Sequence, residues 1–173
     1  MATTTTNQMN YPSDGAVTIT LASLASSSTW VAGQESNNLD NSSLLYLDYM
    51  ISGLITVGTS PAANTQVRIY SFSTVGAADE WPDVFDGVNS AETITSVGVG
   101  EGFLKPVKFL NIDATTSDRG YPFGQVSLAE CFGGWLPRLF GFFVTQNTGA
   151  ALNATAGNHY LVAQPIVTVG LTP

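Results

Sequence analysis

The sequence predicts an all-β protein, a two-sheet antiparallel β-sandwich of jelly-roll-like type with about eight strands behind a flexible N-terminal arm. Three observations carry this. Apolar residues alternate with polar ones or form short continuous runs, and the spacing of an amphipathic helix is nearly absent. Turn-forming clusters of Gly, Pro, Asn and Asp interrupt those runs at short intervals. The chain is also apolar yet poorly charged, with 44% hydrophobic and 10% charged residues among 173 and a mean hydropathy of +0.17. That balance excludes a disordered chain and a Glu- and Lys-rich coiled coil, and its length suits one domain.

Residues 1–13 read as the arm, because Thr, Asn, Gln and Ser dominate and only Met9 and Tyr11 offer apolar surface. Residues 14–173 read as a single sandwich domain. Ala16-Val-Thr-Ile-Thr-Leu21 alternates in the period of a half-buried strand. Leu44 to Thr59 reads as one long strand, or two, bent at Gly53 and stopped by Ser60-Pro61. Thr65 to Phe72 places Val67 and Ile69 on one face and Arg68, Tyr70 and Phe72 on the other, so both faces touch something. A long connection follows from Ser73 to Ala91, and such loops are commonly functional or disordered. Thr93 to Val99, Leu104 to Ile112 and Tyr121 to Val126 are further strands. Ser127-Leu-Ala-Glu130 fits a capping box and predicts a single helical turn, short because Gly133 and Gly134 follow. Leu139 to Thr145 is aromatic enough to be buried on both sides. His159 to Val169 closes the set, with Pro165 predicting an edge or bulged strand.

Charge excludes several functions. Thirteen acidic residues against five basic ones give a net charge of -8, and the cations stand singly, so neither a nucleic-acid nor an anionic membrane partner is expected. Met1 to Asn10 holds no basic residue and no apolar stretch, and therefore reads as no secretory signal. The single cysteine, Cys131, forms no internal disulfide. These features predict a soluble protein made in a reducing cytoplasm.

Catalytic patterns are missing where they would be sought. His159 is the single imidazole and has no nucleophile motif around it. Cys131 reads as a buried, inert thiol. Asp79, Glu80, Asp83 and Asp86 could supply a carboxylate pair, and Asp83-Val-Phe-Asp-Gly-Val-Asn89 resembles a calcium loop superficially, but the ligand spacing is wrong and a solvated turn around Asp86-Gly87 explains it. Asn41-Ser-Ser43 and Asn153-Ala-Thr155 match glycosylation acceptors that turn formation accounts for equally. The expectation is no enzyme, no metal and no cofactor.

Several phrases taken in order carry a resemblance: Val31-Ala-Gly-Gln-Glu-Ser36, Leu39-Asp-Asn41, Tyr46-Leu-Asp-Tyr49, Ile55-Thr-Val-Gly-Thr-Ser-Pro61, Asp83-Val-Phe-Asp-Gly87, Asp113-Ala-Thr-Thr-Ser-Asp118 and Phe143-Val-Thr-Gln-Asn-Thr-Gly149. Over roughly residues 30–165 the chain resembles small virion proteins of tailed bacteriophages. The resemblance implies a capsid decoration, or cement, protein that sits as a homotrimer on the outer capsid surface and bridges subunits of the major capsid protein. Candidate interface residues are Met9 and Tyr11 of the arm, with Asp79, Glu80, Trp81, Asp83, Phe85 and Asp86 of the long loop, since aromatics anchor interfaces. An equal alternative is that Trp81 and Phe85 cap this domain's own core. The competing class is a tail-fibre, head-fibre or lectin-like module that binds a receptor or carbohydrate, with Trp81 beside Asp83 as its sugar platform.

Overall fold

A computed structural model of the protein describes residues 6–76 and 79–171. Its strands are β1 (Thr6–Asn10), β2 (Gly15–Ala16), β3 (Ala32–Glu35), β4 (Leu39–Asp40), β5 (Asp48–Thr56), β6 (Thr65–Ser73), β7 (Ala91–Thr93), β8 (Lys105–Ile112), β9 (Gly120–Ser127), β10 (Leu139–Gln146) and β11 (Tyr160–Leu171). They form two antiparallel sheets. One runs β1-β11-β5-β9, with β2 also on β11; the other runs β7-β3-β10-β6-β8, with β4 also on β10.

When the interrupted pairs β1/β2 and β3/β4 are each taken as one strand and the short edge strand β7 is set aside, eight strand positions remain. The first pairs with the eighth, the second with the seventh, the third with the sixth and the fourth with the fifth. That is a long antiparallel hairpin rolled into two sheets, the jelly roll. The expected fold class is thus the observed one.

The main core lies between the sheets. Ile51 and Ile55 of β5, Val67 and Ile69 of β6, Leu110 and Ile112 of β8, Phe140, Phe142 and Val144 of β10 and Leu161 of β11 fill it. Alternation explains this: each strand points every second residue inward. β5 bends where expected, with a register shift between Ile51 and Gly53 against β9. Gly53 is required there, because a Cβ would lie 2.4 Å from the Tyr160 carbonyl oxygen of the neighbouring strand.

A second, smaller core of Phe72, Phe85, Ile94, Leu104 and Phe143 lies on the outer face of the six-stranded sheet. The chain between β6 and β8 covers it like a roof. This is why Thr65 to Phe72 and Leu139 to Thr145 are apolar on both faces.

Four expectations need correction. Ala16 to Leu21 is not a regular strand: ladder pairing ends at Ala16, and Val17 and Leu21 are buried from irregular backbone. Thr93 to Val99 is not one strand either; β7 ends at Thr93 and Val97–Phe103 is a helix, α1, whose Ser96 hydroxyl accepts from the Val99 amide at 3.2 Å. Glycines at alternate positions argue against a helix there, but packing of Gly100 on Ile94 and Leu104 overrides propensity. β11 is an inner strand despite Pro165, between β5 on one side and β1 and β2 on the other. The Leu161 carbonyl accepts from Val17 on the β2 side, and Pro165, in phase with it, turns its missing donor toward the gap between β2 and β1. Finally, part of the expected arm, Thr6–Asn10, pairs as a strand with Val167 to Leu171; residues 1–5 lie outside the described residues.

Candidate functional site

A jelly roll gathers its loops at two ends. One end holds the loops 17–31, 57–64, 113–119 and 147–159. The other holds the loops 41–47, 74–104 and 128–138, together with the pairing of β1 to the end of β11. The candidate interface residues divide between this second end, where Met9, Tyr11 and Asp79 lie, and the outer face of the six-stranded sheet, over which Trp81, Phe85 and Asp86 pack.

The roof, residues 79–104, is fastened by its own chemistry. The Phe85 ring stacks on Phe72 at 4.0 Å and Trp81 meets Phe72 edge-on at 5.6 Å. Phe85 is 5% exposed, so of the two readings left open for it, the core reading holds, and its side chain is not an anchor for a partner. Trp81 is half-buried beside it. Gly87 turns the chain under Trp81 with φ +78°, and a Cβ there would strike the indole at 2.7 Å.

The acidic residues of the roof serve it mostly by local hydrogen bonds. The Asp83 carboxylate accepts from the Thr95 amide at 2.8 Å and hydroxyl at 2.6 Å. Asp86 accepts from the Val88 amide at 2.9 Å. Asp79 pairs with Arg138, joining the roof to the 128–138 connection. The Glu80 carbonyl accepts from the Val75 amide at 2.7 Å, and Glu80 itself is exposed.

Sequence reasoning missed Glu35. This carboxylate is 0% exposed and makes no ion pair among the described residues; the Gly87 amide donates to it at 2.7 Å and the Asp86 amide at 3.4 Å. Burial pushes its carboxyl from the ordinary 4.5 to about 7, against the two amide donors that lower it, with Asp86 and Glu92 pushing the same way as burial. Glu35 therefore clasps the roof to β3. Only its position as the acid of a short buried strand could have pointed to it.

The sequence also missed the loop before β5, where Leu44 and Leu45 read as strand. Asn41, buried, closes a tight turn: its side-chain amide donates to the Tyr46 carbonyl at 3.1 Å and its side-chain oxygen accepts from the Tyr46 amide at 2.8 Å. Leu45 is held at φ +48°, a left-handed conformation that costs a branched residue about 1 kcal/mol. The turn holds Leu44 and Leu45 in solvent, Leu45 being 71% exposed. The Asn41-Ser-Ser cluster was the available signal for this turn.

Next to that turn, the Asn41 amide donates to the Arg138 carbonyl at 2.8 Å, so the leucine loop and the 128–138 connection are neighbours. The helix α2 (Leu128–Cys131) begins there with Ser127 as its cap, accepting from the Glu130 amide at 3.2 Å. Asp48, rather than Glu130, supplies the second half of the box: it accepts from the Ala129 amide at 2.8 Å and the Ser127 hydroxyl at 2.6 Å. Beyond α2, Trp135 stands 84% exposed. Leu47, Met9 and Tyr11 are exposed at the same end. Beyond Ile166, the sole strand partner of β11 among the described residues is β1, and a two-stranded ribbon is only marginally stable by itself.

Elsewhere, both ring nitrogens of His159 are engaged, Nδ1 accepting from the Thr56 amide at 3.3 Å and Nε2 bonded to the Asn153 carbonyl at 2.8 Å. The Cys131 thiol points at the Ser127 carbonyl, and burial pushes its pKa up, away from a reactive thiolate. Comparison with protein-family models, curated proteins and solved structures finds no match to the chain.

Proposed function

We propose that the chain is a bacteriophage virion structural protein, a capsid decoration (cement) protein that binds the outer surface of the major capsid lattice as a homotrimer and stabilises the shell. One observation carries the reading: apolar side chains are held out in solvent at one end of the sandwich by a dedicated turn, beside a ribbon that no further strand among the described residues pairs. A fold does not keep Leu44, Leu45 and Trp135 exposed for its own stability, so a partner is the physical reason for them. The phage resemblance says which partner, and the jelly roll is an architecture that capsid and lectin domains both use.

In this reading Leu44, Leu45, Leu47 and Trp135 meet the shell, while the β1–β11 ribbon with Met9 and Tyr11 meets sister subunits. A ligand that binds only the assembled shell stabilises it by mass action, and three linked copies raise the effective concentration of each contact. The net charge of -8 is repelled by packaged DNA, which favours the outside of the particle.

The test is occupancy and position. A particle density map with quantified copy number is expected to show hundreds of copies on the outer shell; tens or fewer, confined to a tail or a vertex, would give the fibre reading instead. Leu45→Asp is expected to leave a trimer that no longer decorates purified shells. Deleting residues 1–12 is expected to give monomers in light scattering, and unchanged trimers would remove the ribbon from the assembly.

A further inference from the structure

We infer that the open half of the outer face of the six-stranded sheet is a binding site for a neutral oligosaccharide of two or three sugar units. This does not rest on the capsid reading. Between the edge of the roof, where Ile94, Val97 and Leu104 line one side, and the uncovered part of that face runs a groove of two adjoining lobes, about 470 and 350 Å³. Trp30 and Arg68 line both lobes.

The register of β6 and β8 builds the floor. Gln66 stands opposite Asn111 and Arg68 opposite Phe109, so amides and an aromatic ring alternate along one sheet face. The Arg68 guanidinium lies 3.6 Å from the centre of the Trp30 ring and 5.2 Å from that of Phe109. Its Nε donates to the Gln66 side-chain oxygen at 3.0 Å, and Gln66 in turn donates to Asn111 at 2.9 Å. Among the described residues Arg68 makes no ion pair. A half-buried guanidinium, fixed by stacking and by one hydrogen bond, thus keeps its terminal N–H donors for something that the chain does not provide.

Sugars match this chemistry. A pyranose has one C–H face that packs on an aromatic ring such as Phe109, and a rim of hydroxyls that pair with amides and a guanidinium fork. An anionic ligand fits less well, because Glu101 lines one lobe and Asp113 the other. An apolar peptide would leave the Gln66, Asn111 and Arg68 groups without water or partners, which is costly. The sugar platform is therefore Trp30, Arg68 and Phe109, and not the Trp81 and Asp83 pair that the sequence suggested.

The probes are neutral trisaccharides of glucose, galactose, mannose and N-acetylglucosamine, with trigalacturonic acid as the charged control, titrated while the Trp30 indole N–H is followed by NMR. At least one neutral probe is expected to give a saturable shift at Trp30 and at the Asn111 side-chain amide. Arg68→Met and Asn111→Ala, whose fold the remaining amide spectrum checks, are each expected to weaken that binding about tenfold. No saturable shift with any neutral probe would overturn the proposal. So would preference for the charged trimer, or binding indifferent to both substitutions.

Discussion

The outer faces of the two sheets differ in who covers them. On the six-stranded sheet, Phe72 of β6 and Phe143 of β10 point outward and are fully buried, because residues 79–104 of the same chain pack over them. On the five-stranded sheet, Leu54 of β5 stands in a row between Tyr160 of β11 and Pro122 of β9, and Tyr160 and Pro122 are exposed while Leu54 is half-buried. Both sheets carry apolar residues on both faces, but the chain spends a long connection on only one of them. The bare face, like the apolar end that carries Leu44, Leu45 and Trp135, is surface that neighbours can cover, whereas the roofed face is interior and its loop residues are mostly structural.

The largest effect should come from removing the roof's centre. Phe85→Ala is expected to cost about 3–4 kcal/mol in urea unfolding, as in a main core, because the ring is enclosed between Phe72, Phe103 and Phe143. A loss below about 1 kcal/mol would mean that the roof is an appendage, and the contrast between the faces would collapse.

The next effect is the pH dependence that Glu35 gives the roofed face. Glu35 binds its proton more tightly folded, with its carboxyl at about 7 against an ordinary 4.5. Its stabilising contribution is therefore fully present below 4.5 and is lost as pH rises through about 7. On the order of 3–4 kcal/mol of stability should disappear across that window at the 1.4 kcal/mol carried by each pH unit. Glu35→Gln, measured by thermal unfolding between pH 5 and 8, is expected to flatten the slope, staying close to the parent at the acid end and exceeding it at the alkaline end, where the parent must bury a charge. An unchanged slope would mean that another group titrates there.

What was legible in the sequence follows the same division. β6 and β10 could be read because their pattern is local: period two, and apolar on both sides. The roof could be read as a long loop that packs, since Trp81, Val84 and Phe85 are too apolar for a solvated one, but its helix could not, because α1 owes its existence to Gly100 lying on Ile94 and Leu104 and not to helix propensity. Val17 and Leu21 showed strand alternation and are buried, yet their backbone pairs irregularly. Pro165 misled because the penalty for a missing donor depends on what lies across from it, and β1 and β2 leave a gap there that Gln164 fills by donating to the Pro12 carbonyl. The groove was invisible for the same reason as Glu35: Trp30, Arg68 and Phe109 are far apart in sequence, and only strand order brings them together. Of the expected interface residues, Met9, Tyr11, Glu80, Asp83 and Asp86 are exposed and Asp79 and Trp81 are half-buried, whereas Phe85 belongs to the fold.

The smallest effect tests the bare face. Tyr160→Ser is expected to change the unfolding free energy of dilute chain by no more than about 0.5 kcal/mol, since a side chain 48% exposed gives up little packing. Its consequence should appear only when copies are close. If sister subunits cover this face, the parent's Tm rises with protein concentration, because association stabilises the folded state by mass action. Tyr160→Asp should weaken that rise by placing a charge where a neighbour would exclude water. Concentration-dependent Tm in the parent with no change in Tyr160→Asp would move the contact elsewhere and leave this face to solvent. A loss of several kcal/mol in dilute Tyr160→Ser would show instead that the five-stranded sheet depends on its outer residues as much as the roofed one does.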